Sequence, residues 1–75
     1  MRDSVKVSSF GFVEFGFRSG WVEIISTNEI KSVKPRIEGG TNIRLTTDRV
    51  LLVSCPIQDV TEAMRDADGR MYATS

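Results

Sequence analysis

The chain has no histidine and a single cysteine, Cys55. Without histidine, the commonest general base and the commonest metal ligand are both missing. Cys55 therefore has no Cys-His nucleophile pair, and one thiol alone makes no zinc set. One cysteine also excludes an internal disulfide. A small chain without that staple is expected in a reducing compartment, so the sequence reads as cytoplasmic. Long apolar runs are missing too: nothing approaches the roughly 18 residues of a membrane span, and no membrane partner is expected. Arg2, Asp3, Lys6 and Glu14 interrupt any signal-peptide core. Ten Lys and Arg balance ten Asp and Glu, so no whole-molecule field favours nucleic acid, and such a partner would need a local patch. Asp59, Glu62, Asp66 and Asp68 gather toward the C-terminus, where a solvated helix face accounts for them. The expectation is a non-enzymatic protein with no catalytic residues, no cofactor and no metal site.

What is present is a β-rich chain cut by turn signals. Its 75 residues make one small domain, of a size that buries only about 60–65% of its unfolded surface. Ser19-Gly20 separates two β-rich runs. A two-residue loop there pairs Arg18 with Trp21, Phe17 with Val22, Phe15 with Ile24 and Val13 with Ser26, so that Val13, Phe15, Phe17, Val22 and Ile24 share the core face. Residues 26–29, STNE, read as a turn, and a strand follows from about Ser32 to Ile37. Pro35 cannot donate to a ladder, so this strand is expected at an edge. After the turn EGG comes TNIRLTTDRVLLV, a second hairpin turning through residues 46–49. It sets Leu45 opposite Val50 and Ile43 opposite Leu52, with Leu51 and Val53 on the other face beside Arg44 and Asn42. A strand apolar on both faces lies between two neighbours or turns one face to a partner. Finally Ile57, Val60, Ala63, Met64 and Ala67 recur at helical spacing. They predict a helix over about 56–67, with Pro56 in its first position, ending near Asp68-Gly69 ahead of a short frayed tail, RMYATS. The expected class is α+β: one antiparallel sheet of about five strands with a C-terminal helix.

The most suggestive stretch is SSFGFVEF, residues 8–15. Phe10, Gly11, Phe12, Val13 and Phe15 match the aromatic octapeptide of RNA-recognition motifs, with serines in place of its basic residue and first glycine. That octapeptide belongs on a third strand, whereas only nine residues precede Phe10 here and a hairpin follows. The flanking topology argues against the motif. Strict alternation puts Val13 and Phe15 in the core, and Phe10 and Phe12 on the opposite face with Arg18, Trp21 and Ile25. Either a β-bulge at Phe12-Val13 turns Phe10 and Phe12 inward, or these residues form an exposed aromatic patch of the kind that marks an interaction surface. A protein partner suits it best, since Trp and Arg dominate binding hot spots. The alternative is a nucleic-acid platform, combining these aromatics with a basic stripe of Lys34, Arg36 and Arg44.

Residues 21–64 resemble the small bacterial FlbD-type flagellar-associated proteins. The likeness rests on Ile30 and Val33 after Asn28, on the hairpin Ile43-Arg44-Leu45 to Val50-Leu51-Leu52-Val53, and on Val60 in the helix. Thr47-Asp48 stands where such proteins carry a glycine turn, and the aromatic N-terminal strand lies outside the match. The resemblance implies a small, non-catalytic bacterial or phage accessory protein. Together the expectations describe an interaction or regulatory module that binds a protein partner and self-associates as a homo-oligomer.

Overall fold

In the computed structural model, which describes residues 2–68, the order is β1 (Ser4–Ser9), β2 (Phe12–Gly16), β3 (Val22–Ser26), a 3₁₀ turn (Thr27–Glu29), β4 (Ile30–Pro35), β5 (Thr41–Leu45), β6 (Val50–Val53) and α1 (Ile57–Ala67). The α+β class stands. The single sheet of about five strands is corrected to two antiparallel sheets of three, ordered β1-β2-β3 and β4-β5-β6. Two local causes account for the difference. Ser4–Ser9 forms an additional strand, paired with β2. Between β3 and β4 the Ser26 side chain accepts from the Asn28 N–H at 3.3 Å, capping a 3₁₀ turn that ends the first sheet before the second begins. β4, with Pro35, is an edge strand as expected. The helix begins one residue later than expected, because Pro56 caps it from outside and its carbonyl accepts from the N–H groups of Asp59 and Val60. The expected end at Gly69 and the RMYATS tail lie outside the described residues.

Three of the hairpins close in the same way. The Phe17 N–H donates to the Trp21 carbonyl at 2.8 Å, Arg36 to Gly40 at 3.0 Å and Leu45 to Arg49 at 2.9 Å, each enclosing three residues. The third loop residue has positive φ in every case: Gly20 at 98°, Gly39 at 102° and Asp48 at 70°. This is the three-residue loop in which a type I turn is followed by a left-handed residue. The two-residue loop expected at Ser19-Gly20 is therefore one residue too short, and the loop expected over residues 46–49 is one residue too long.

That one residue changes which side chains face inward, because strand side chains alternate with a period of two. In the first hairpin Val13 pairs with Ile25, Glu14 with Ile24 and Phe15 with Glu23. Ile25 enters the core, while Val22 and Ile24 turn outward, the reverse of the expectation for all three. In the second hairpin Ile43 pairs with Leu51 and Thr41 with Val53. Leu51 and Val53 are core, and Val50 and Leu52 stand beside Arg44 and Asn42, again the reverse. β6 is an edge strand and not a central one.

The inward faces of both sheets share one core with the apolar stripe of α1. Val13, Phe15 and Ile25 come from the first sheet, Ile43, Leu45, Leu51 and Val53 from the second, and Val60, Ala63 and Ala67 from the helix. Fully burying Phe15 alone contributes about 2–3 kcal/mol. Thr41, the buried polar residue, donates its hydroxyl to the Cys55 carbonyl at 2.8 Å. Two polar links hold the layers in place. The Asp3 carboxylate accepts from the Arg18 N–H at 2.8 Å and the Ser54 N–H at 2.9 Å, joining the two sheets. At the helix end, the Ala67 carbonyl accepts from the Gly11 N–H, and Gly11 in turn accepts from Thr27 N–H at 2.9 Å.

Candidate functional site on the outer sheet faces

Alternation leaves each sheet with one face turned away from the core. On the first sheet that face carries Ser4 and Lys6 from β1, Phe12, Glu14 and Gly16 from β2, and Val22, Ile24 and Ser26 from β3. Phe12 is 43% exposed, Val22 50% and Ile24 55%. Phe12 pairs with Ser26, which places it diagonally next to Ile24, and Val22 follows two residues along the same strand. The three form an apolar stripe. Beside it Lys6 and Glu14 pair across β1 and β2 at 3.6 Å, so the face carries no net charge.

The expected patch of Phe10, Phe12, Arg18, Trp21 and Ile25 is not assembled as one surface. Ile25 is buried, a consequence of the longer loop. Phe12 stays outward: the irregularity falls in the β1–β2 pairing, on β1 between Val7 and Ser9, and not at Phe12-Val13. Phe10 occupies the β1–β2 turn and is 67% exposed. Gly11 follows it at φ 83°, a conformation that a side chain would make costly. Trp21 and Arg18 sit at the other end of the β2–β3 ladder, five residues from Phe12, or about 17 Å. Trp21 is exposed, and its indole N–H donates to Glu23 Oε2 at 3.2 Å. The same oxygen accepts from Arg49 Nη2 at 2.8 Å. The Arg49 guanidinium first, and the indole after it, hold the Glu23 carboxyl below the usual carboxylate range. Trp21 thus belongs to a polar link between the β2–β3 and β5–β6 hairpins. Val22 and Ile24, which take their places beside Phe12, were missed by the sequence reading. Gly20 in third place of Arg18-Ser19-Gly20 was the signal that could have found them.

The second sheet turns out Ser32 and Lys34 from β4, Asn42 and Arg44 from β5, and Val50 and Leu52 from β6. Lys34 and Arg44 are brought together as expected. Arg36 is not: it lies beyond β4 and pairs with Glu38 at 3.2 Å. The aromatics and the cations of the nucleic-acid alternative lie on different sheets, so no single face combines them.

An open groove of about 520 Å³ runs between β1 and α1, lined among others by Asp3, Lys6, Cys55, Asp59, Glu62 and Asp66. Burial, followed by the charges of Asp3 and Asp59, pushes the Cys55 thiol up, away from the reactive thiolate. Among the described residues no group of acidic, cysteine or histidine side chains is placed to hold a metal ion. No helix among them is long and apolar enough to cross a membrane. Compared with protein-family models, with curated proteins and with solved structures, the chain matches none.

Proposed function

We propose that this chain is a non-enzymatic protein-interaction module that binds through the outward face of the first sheet, with a second copy of itself among its partners. The observation that carries the reading is the stripe of Phe12, Val22 and Ile24, half-exposed side by side on a face without net charge. Contiguous apolar surface of this kind on a small domain is characteristic of interaction sites. Covering the exposed half of three such side chains contributes roughly 2–4 kcal/mol. A symmetric contact between two copies counts this twice, before the cost of association. Self-pairing is therefore weak, and a partner with larger apolar surface binds more tightly. A bacterial or phage accessory role of the FlbD type belongs to the same proposal, as does a cytoplasmic location, the latter supported by the single, buried thiol.

A photo-crosslinking residue in place of Ile24 tests it. The expected product in cells is a discrete protein adduct, a dimer of the chain included, that is missing when the label replaces exposed Glu62 on α1. An RNA adduct, or none, overturns the reading. Sedimentation decides the self-association: the weight-average mass rises with concentration for the unmodified chain and stays monomeric for Ile24→Lys. A strict monomer at high micromolar concentration removes that part.

A further inference from the structure

The outward face of the second sheet differs in kind from that of the first. Lys34 lies opposite Asn42, and Arg44 lies opposite Ser32 and Val50. The two cations are thus diagonal neighbours on adjacent strands, with backbones about 7–8 Å apart. Among the described residues neither makes an ion pair, and no carboxylate stands on this face. Between them is a depression of about 150 Å³ lined by Ser32, Lys34, Asn42, Arg44 and Val50. It has room for one carboxylate or one phosphate. Asn42 contributes to the lining, with its Oδ1 atom buried and without a hydrogen-bond partner. Val50 and Leu52, each 52% exposed, give the face an apolar edge along β6.

We infer that this face is a binding site for an acidic peptide segment of a partner protein, one acidic side chain seated between Lys34 and Arg44. Three features select that occupant. Two unpaired cations without a compensating carboxylate attract an anion. A peptide also brings apolar side chains for Val50 and Leu52 to meet, whereas a phosphodiester backbone has none. The face has no aromatic residue, so bases find nothing to stack on as single-stranded nucleic acid requires. Val50 and Leu52 then receive apolar residues that alternate with the acidic ones. The site deepens the protein-binding reading and rests on residues separate from Phe12, Val22 and Ile24, so each fails or stands independently.

The test is a titration of the full chain, isotopically labelled for NMR, with a blocked peptide alternating Glu and Val, at low ionic strength. The expected result is saturable shifts at Ser32, Lys34, Arg44 and the Asn42 side-chain amide, weakening with added salt. Lys34→Gln and Arg44→Gln each lower the affinity roughly two- to fivefold, and the double variant abolishes measurable shifts. Ile24→Lys leaves this titration unchanged, which separates the two faces. The peptide with Gln in place of Glu produces no shifts. The inference is overturned if the acidic peptide gives no shifts at millimolar concentration. It is overturned equally if an oligothymidylate perturbs the same residues at lower concentration, which would make the site one for nucleic acid.

Discussion

The two sheets are built alike on their inward sides and differ on their outward ones. Each has three antiparallel strands, the first contains one and the second two three-residue hairpin loops with a positive-φ third residue, and each delivers a row of aliphatic or aromatic side chains to the common core. On the outside, the first sheet carries Phe12, Val22 and Ile24 beside a neutralised Lys6–Glu14 pair. The second carries Lys34 and Arg44 with no acid beside them. The inward faces are alike because close packing against a single core favours apolar side chains of matching volume and admits a polar one, Thr41, with its hydroxyl bonded to the Cys55 carbonyl. No such constraint acts on the outward faces, and the two binding chemistries proposed above rest on their divergence.

The largest test of this comparison asks whether the sheets stand or fall together. Phe15 and Ile43 are both fully buried, one in each sheet. Phe15→Ala is expected to cost about 3–5 kcal/mol and Ile43→Ala about 2–5 kcal/mol. Because the core is shared, either variant should lower a single cooperative thermal transition, read by circular dichroism. Two separated transitions would mean that each sheet has its own stability.

The link between the sheets is the next target. The N–H groups of Arg18 and then Ser54 hold the Asp3 carboxyl below its ordinary value of 3.8. Asp3 therefore binds its proton less tightly in the folded chain than in the unfolded one. Its contribution to stability is complete above the unfolded value and is lost as the pH falls through the folded one. Asp3→Asn keeps one acceptor and loses the charge. It is expected to cost about 1 kcal/mol at neutral pH, a figure reduced for the partial exposure of the site. It should also flatten the loss of stability below about pH 4, measured by urea unfolding across the acid range. An unchanged acid slope would assign the junction between the sheets to packing alone.

The smallest effect concerns the hairpins. Asp48 adopts positive φ without being glycine, a conformation that costs a side chain up to about 1 kcal/mol. Asp48→Gly in the second sheet should gain a few tenths of a kcal/mol, and Gly20→Asp in the first should lose about as much. Both substitutions leave the outward faces intact. Opposite signs in thermal unfolding confirm that the two loops share one geometry, and equal signs would break the parallel.

Much of the architecture was legible before any tertiary contact was known. The helix from 57 to 67 follows from the spacing of Ile57, Val60, Ala63, Met64 and Ala67, and the edge position of β4 follows from Pro35. The turn at residues 26–29 was legible as well, and so was the inward orientation of Val13 and Phe15. β1 was not: its alternation is weak, and Ser4–Ser9 becomes a strand by pairing with β2. The candidate surface was legible only in part. Phe12 was left open between an inward turn at a bulge and an outward patch with Arg18, Trp21 and Ile25, Lys34 was grouped with Arg44, and the true neighbours of Phe12 were assigned to the core.

Both misplacements trace to one feature. Arg18-Ser19-Gly20 is one residue longer, and Thr46-Thr47-Asp48 one residue shorter, than the loop the turn signals suggested, and a slip of one in either direction reverses every inward and outward assignment on the returning strand. Local spacing, glycine positions and turn residues were enough to specify strands, hairpins and a helix, because they act over a few bonds of chain. Which face of β3 and β6 meets the core depends on where Phe15, Ile43 and Val60 can pack together. That choice belongs to contacts between residues far apart in the chain, and it decides which side chains the outward faces carry.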